Sequence, residues 1–319
     1  MTVLVLTEPG DVTADLVIAR LDAMGAAVLR LDPADFPRAM ALAAEYANGR
    51  VTGRIETAHH HVDLDALRSV WIRRPGAPVA PTSEQAAWVT LECERALYGV
   101  LRSLDGVRWM NHPDAVARSA YKPWQLAVAQ RCGLDVPRTV FTNDPAAADK
   151  FAGRGPAVVK SVSGRHPEDP PITLRTTLVP VDADYAGVAG TATCLQDAVD
   201  KVFDVRVTVI GEQVLACRID GEALDWRFAD QDRLGWSPVQ PPGPVHTGVL
   251  AYMSAAGLAF GAFDFAVDAD RWWFLECNQG GQFGFAEIRA GLPIAQAVAD
   301  WLAPGGPHRV PETGGPAAP

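Results

Sequence analysis

Five cysteines, Cys93, Cys132, Cys194, Cys217 and Cys277, are scattered over 319 residues, with no CxxC pair and no histidine nearby. That excludes a disulfide framework and a zinc knuckle, and it suits a reducing compartment. No apolar run approaches the roughly 20 residues that cross a bilayer. The opening, MTVLVLTEPG, lacks a basic n-region and a small-residue cleavage site, so no export signal is read there and a cytoplasmic location is expected. With a net charge of -10 and no basic block, the chain lacks the electrostatic footprint of a nucleic-acid binder. The first turn, TEPGD, holds no GxGxxG, which leaves a dinucleotide site without support. No GxSxG or Cys-His context points to a side-chain nucleophile.

What remains is an ordinary globular composition, 48% hydrophobic and 21% charged, long enough for about two domains. Val3 to Leu6 reads as a buried strand, Asp15 to Met24 as a helix and Gly25 to Leu31 as a second strand, a β-α-β opening with a parallel sheet. Segments around Arg50–Ile55 and His61–Leu64 predict a hairpin. His59, His60 and His61 at its tip invite a metal reading, but consecutive residues point in opposite directions, and a solvated tip is preferred. A long helix is predicted over Glu84–Leu104, a short strand over Val107–Met110, and a first domain boundary near Asn111. Arg118 to Cys132 reads as one helix closed by Gly133. Strands are predicted at Ala157–Lys160, Val205–Ile210, Val214–Ile219, Gly261–Val267 and Trp272–Cys277, a closing helix at Ile294–Leu302, and a disordered Pro/Gly-rich tail over 303–319.

Isolated charges stand at the ends of these apolar strands. Lys160 ends AVVK; Asp204 and Arg206 lie two apart in KVFDVRVTVIG; Asp264 sits in GAFDFAVD; Glu276 and Asn278 lie two apart in WWFLECN. Residues two apart on a strand share a face, so Glu276 and Asn278 present two hard oxygen donors side by side, the ligand type Mg²⁺ prefers, while Leu275 and Cys277 point away. Taken singly, each charge also fits a strand-end polar group or a local salt bridge. Taken together, three oxygen ligands and two cations would partner one another around a metal-bound polyphosphate.

This set and order resemble the ATP-grasp superfamily from about Asn111 to Glu287. VWIRRP, NHP…K…QLA…GL, DVRVTVIG, ALDWRF and FLECNQGGQFGF together resemble, more narrowly, the ATP-grasp maturases of ribosomal (RiPP) peptides, the graspetide or microviridin-type macrocyclases, nearly to residue 302. Gln279-Gly280-Gly281 departs from the Pro-Asn-Gly of many relatives, and Asp197 stands where Glu is commoner. The resemblance implies an α/β (α+β) ATP-grasp fold: an N-terminal pre-ATP-grasp domain over 1–110, a central subdomain over 111–192, a C-terminal subdomain over 193–302, and nucleotide between the last two. It implies ATP and Mg²⁺, two ions expected, with Asp264, Glu276 and Asn278 as the metal ligands. Lys122, Lys160, Ser161, Ser163 and Gly164 would meet the phosphates. Leu195, Gln196, Asp197 and Ala198 form the hinge whose backbone reads adenine.

The reaction implied by the resemblance activates an Asp or Glu side chain of a precursor peptide as an acyl phosphate, then closes an ester or amide ring with Ser, Thr or Lys. Positive charge must offset a carboxylate attacking a polyanion. Arg206 is expected at the transferring phosphoryl group, beside Lys160 and Arg227, with Asp204 orienting Arg206 or meeting the nucleotide. Arg73, Arg74 and Arg227 are expected to read the acidic core peptide, since guanidinium forks match carboxylates; an interface salt bridge is the other reading for Arg73 and Arg74. A homodimer is expected, with neither nucleic acid nor membrane as partner. Two alternatives share the nucleotide residues: a ligase joining an amino acid to a small molecule or a protein terminus, and a nucleotide-binding protein without turnover.

Overall fold

A computed structural model of the chain describes residues 2–79, 85–163, 165–166, 172–180, 182–269 and 271–304. The contacts divide it into two compact units, Met1–Met110 with Ala295–Pro319, and Asn111–Ile294. No helix among the described residues is long and apolar enough to cross a membrane.

In the first unit, an unbroken apolar run makes β1 (Thr2–Thr7) a strand buried on both faces, the pattern of a parallel sheet. It is followed by α1 (Val12–Ala23), β2 (Ala27–Leu31), β3 (Met40–Ala47), β4 (Arg50–Thr57), β5 (His61–Asp63), β6 (Leu67–Arg74), α2 (Ala86–Arg102) and β7 (Arg108–Met110). The main sheet runs β2-β1-β6-β7, all parallel. Helix α1 begins three residues before the expected Asp15, because the Asp11 carboxylate accepts from the Thr13 and Ala14 amides and caps it. Sequence reading missed β3, whose alanine-rich MALAAEYA has no alternation. Asn48-Gly49, both at positive φ, makes the tight turn that pairs β3 with β4 along its whole length. Gly53 is obligatory there, since a Cβ would lie 2.0 Å from the Ala43 carbonyl oxygen. The three histidines are exposed beyond β4, where the Thr57 hydroxyl accepts from the His59 and His60 amides; no group of three or more His, Cys, Asp or Glu side chains suited to a metal occurs among the described residues.

The second unit holds α3 (Pro113–Ser119), α4 (Lys122–Arg131), β8 (Thr139–Thr142), α5 (Pro145–Ala152), β9 (Ala157–Lys160), the two-residue strands β10 (Arg165–His166), β11 (Ile172–Thr173) and β12 (Thr177–Leu178), and β13 (Thr193–Asp197). It continues through β14 (Phe203–Ile210), β15 (Gln213–Asp220), β16 (Gly235–Val239), α6 (Gly243–Ala256), β17 (Phe260–Val267), β18 (Trp272–Asn278) and α7 (Gly284–Ala290). The single helix expected over Arg118–Cys132 is two. Pro123 is tolerated only in a first turn, so the chain breaks at Ala120-Tyr121 and restarts at Lys122. The closing helix α8 (Ile294–Leu302) packs almost wholly within the first unit: the Ser69 hydroxyl donates to the Leu302 carbonyl at 2.8 Å, and the Arg108 guanidinium lies over Trp301. The tail expected to be disordered lies, from residue 305, outside the described residues.

Two antiparallel sheets organise the second unit, β12-β9-β13-β8 and β16-β15-β14-β17-β18. In the larger sheet, Val205, Val207, Val209, Phe263, Phe265 and Phe274 pack with Tyr252 of α6 and Val128 of α4 in one apolar core. Asp204, Arg206, Thr208 and Asp264 alternate with them, buried on the other face. A bulge keeps β18 in step. Glu276 pairs with Asp264 but Phe274 pairs with Phe265, leaving Leu275 as the extra residue. A strict period of two would put Phe274 on the face of Glu276; the extra residue sends Phe274 to the core and Glu276 to the charged side.

Candidate functional site

Three neighbouring strands carry a row of charges: Arg206 on β14 pairs with Asp264 on β17, which pairs with Glu276 on β18, and Asn278 follows opposite Ala262. Arg206 is buried and fully engaged. Its Nε donates to Asp264 Oδ1 at 2.8 Å, its other nitrogens reach Asp264 Oδ2 at 3.3 Å and the Gln282 carbonyl at 3.2 Å, and Trp226 and Phe285 face the guanidinium at 5.4 and 5.5 Å. Glu276 takes Lys122 Nζ at 2.5 Å on one oxygen and Arg227 at 3.5 Å on the other. Asn278 Nδ2 also lies 3.5 Å from Glu276 Oε1.

The electrostatics follow from that crowding. Burial pushes Glu276 upward, but Lys122, through charge and hydrogen bond, together with Arg227 and Lys160, outweighs it and holds the carboxyl at about 2. Asp264 is pushed up by burial and by the like charge of Glu276, against the pull of Arg206. Burial lowers Lys160 to about 8, Lys122 adds to the fall, and Glu276 opposes it. The adjacent oxygens of Asp264, Glu276 and Asn278 are a hard donor set. A buried carboxylate beside a half-buried one of like charge is what a divalent cation relieves, so these residues fit magnesium.

Lys160, at the end of β9, donates to Gln196 Oε1 at 2.6 Å, and Gln196 Nε2 donates to the Thr139 hydroxyl at 2.9 Å, on the sheet face opposite the core residue Leu195. The Ser161 and Ser163 hydroxyls lie 3.3 Å apart; Gly164 lies outside the described residues. In the segment expected to read adenine, two donors are already taken. The Asp197 amide donates to the Arg138 carbonyl and the Ala198 amide to the Pro156 carbonyl, while the Asp197 side chain pairs with Arg138 at 2.7 Å.

Three expectations are revised. Asp204, expected to orient Arg206, takes Lys201 at 2.5 Å, and Asp264, directly opposite on β17, holds the arginine. Arg206, expected at the transferring phosphoryl group, is 4% exposed and held by Asp264, whereas Arg227, 36% exposed and held by Asp225 at 2.8 Å, is the more open of the two. Arg73, expected to read the peptide, is 2% exposed and lies 3.7 Å from Asp11 within the first unit, whereas Arg74 is exposed beside Glu8.

Two residues that sequence reasoning passed over brace the site. The Asn111 amide accepts from the Ala259 and Phe260 amides and donates to the Phe260 and Gln279 carbonyls, fixing the start of β17 and the loop after Asn278. Gln125, buried in α4, bonds the backbone of Cys277, between Glu276 and Asn278. A polar residue on the inner side of an apolar helix was the signal for it. The loop itself sits tight on the sheet: a Cβ on Gly281 would lie 2.5 Å from Ala262 Cβ and 3.1 Å from both Arg206 and Asn278.

Residues 2–117 match the family model of the MvdD pre-ATP grasp domain. No curated protein sequence matches the chain. Among solved structures, the chain is similar to macrocyclase MdnC bound with precursor peptide MdnA from Microcystis aeruginosa MRC, at 29% identity and TM-score 0.83 over 95% of this chain and 99% of that one. The Chryseobacterium gregarium RiPP-associated ATP-grasp ligase, in complex with ADP and a leader and core peptide, matches at 25% identity and TM-score 0.86 over 94% and 96%. The ATP-grasp ligase PsnB, complexed with minimal precursor, Mg and ADP, matches at 25% identity and TM-score 0.77 over 94% and 96%.

Proposed function

We propose that this chain, an ATP-grasp ligase similar to the macrocyclases of ribosomal peptides, closes ester or amide rings in a precursor peptide with ATP and magnesium. The observation that carries the reading is the convergence of Lys122, Lys160 and Arg227 on Glu276, beside Asp264 and Asn278, in a fold shared with peptide-bound ligases. An oxygen of a peptide Asp or Glu carboxylate attacks the γ-phosphorus of ATP, ADP leaves, and an acyl phosphate forms on the peptide. A Ser or Thr hydroxyl, or a Lys amine, then attacks the acyl carbon, phosphate leaves, and the nucleophile's proton passes to solvent.

Asp264, Glu276 and Asn278 would hold the metal, which when bound supplies charge neutralisation to the phosphates. Lys122 and Lys160 would hold phosphate oxygens, and Ser161 and Ser163 would close over them. Leu195 to Ala198 would line the adenine through the backbone groups left open. Arg206 would keep Asp264 aligned. Arg227 would meet the transferring phosphoryl group or the peptide carboxylate, with Arg74 as an outlying contact for the acidic core. Assembly as a homodimer belongs to the same proposal and would be read by light scattering.

Co-expression with a short precursor rich in Thr, Asp and Glu tests the assignment. Each ring closed should appear in the mass spectrum as the loss of one water, with one ADP formed per ring. ADP release stimulated by a free amino acid and by no peptide would overturn the peptide assignment in favour of a small-molecule ligase.

A further inference from the structure

We infer that Gln125 is a positioning residue for the metal site, setting the Glu276–Asn278 edge in register with the phosphate-facing lysine of its own helix. The inference deepens the ligase reading above and rests on it. β18 is the outer strand of its sheet, and beyond a single bridge from Asp135 to Trp273, with the Phe274 amide donating to the Asp135 carbonyl, no strand among the described residues pairs with its far side. At Cys277 the partner is a side chain. The Cys277 amide donates to Gln125 Oε1 at 3.0 Å, and Gln125 Nε2 donates to the Cys277 carbonyl at 3.0 Å. One carboxamide thus makes the two-bond pairing that a neighbouring strand would make, since it carries donor and acceptor in that spacing.

Cys277 is the residue between the two expected ligands. Its side chain is buried in the apolar core, while Glu276 and Asn278 project from the opposite face. Holding both peptide groups of Cys277 therefore fixes the direction of both oxygen-bearing side chains. Gln125 also lies three residues after Lys122 on α4, so the two occupy one side of the helix. Gln125 grips the backbone beside Glu276 while Lys122 grips its carboxylate at 2.5 Å. Gln125 Nε2 further donates to the Ser119 carbonyl at 2.8 Å, and Gln279, just past Asn278, donates to that same carbonyl at 2.5 Å. The helix break at Ala120-Tyr121, Lys122, the middle of the donor edge and the loop beyond it are thus tied through one buried amide. Groups that hold metal ligands in orientation carry ~10- to 100-fold of metal affinity without touching the metal.

The test uses the full chain with ADP and Mg²⁺, titrated by calorimetry, and Mn²⁺ as a spectroscopic probe of the same site. Gln125→Met keeps the volume and removes the pairing. Val128→Ala, a core change on the same helix, serves as a matched loss of stability. The expected result is that Gln125→Met needs ~10- to 100-fold more Mg²⁺ for half-saturation of ADP binding and alters the bound Mn²⁺ spectrum, while Val128→Ala at comparable thermal stability does neither. If Gln125→Met does not fold, Gln125→Asn, which keeps a carboxamide one methylene short, should show the same rise. An unchanged Mg²⁺ requirement in the folded Gln125 variant, or an equal rise in Val128→Ala, overturns the inference. Failure of the wild-type protein to bind ADP with Mg²⁺ is a separate result, which removes the ligase assignment and this inference with it.

Discussion

Lys160 carries a cost at neutral pH. Its ordinary value is 10.5, and burial brings it to about 8 in the folded chain, so below about pH 8 folding keeps an ammonium in surroundings that disfavour it. Between pH 8 and 10.5 the folded state gives up the proton while the unfolded state keeps it, and folding stability rises with pH across that window. In the proposed role of Lys160, ligand affinity runs the other way, because a lysine that holds phosphate needs its ammonium. ADP affinity, measured calorimetrically, should therefore fall as the pH is raised through 8. Lys160→Met separates the two effects: turnover should drop ~10²-fold or more, while the thermal midpoint at pH 7 should not fall below that of the wild type. A midpoint several degrees lower would mean that the ammonium stabilises the fold.

At the scale of elements, the site is a product of register. Asn111 satisfies four backbone groups with one amide, so Asn111→Ala would leave several buried donors and acceptors without partners. The expected loss is about 3 kcal/mol, read as a lower urea midpoint with an unchanged slope. The strands bearing Lys160, Asp264, Glu276 and Asn278 were legible as short apolar runs carrying an isolated charge, and the shared face of the last two followed from their spacing of two. Local periodicity does not say which residue lies opposite which. The Arg206–Asp264 pair and the grip of Gln125 on Cys277 join residues 58 and 152 positions apart, which no short window contains, and the bulge at Leu275 shows only in its pairing with β17. The break before Lys122 was more accessible, since Pro123 announces a first turn. Strand β3 was hidden by alanines, although Asn48-Gly49 marks its turn.

At the scale of the whole molecule, an acidic chain of net charge -10 gathers Lys122, Lys160, Arg206 and Arg227 around one patch of carboxylates. An anionic substrate meets local cations on a protein that repels anions elsewhere, which favours entry at this place over others. Metal dependence should follow directly. Chelation with excess EDTA should abolish both ADP release and peptide mass loss, and added Mg²⁺ should restore them together. Ring closure persisting in EDTA would contradict the roles given to Asp264, Glu276 and Asn278.

Gly281 has one more implication. With 2.5 Å between an added methyl and Ala262, and 3.1 Å to both Arg206 and Asn278, the loop rests on the sheet with no spare clearance. Position 281 thus works as a gauge block whose thickness sets the gap between the arginine and the amide. Gly281→Ala should weaken ADP binding in the presence of Mg²⁺ far more than in its absence, and a saturation library selected for ring closure should return glycine there. Substitutions would then be free to rewrite the loop around that point, but not to thicken it.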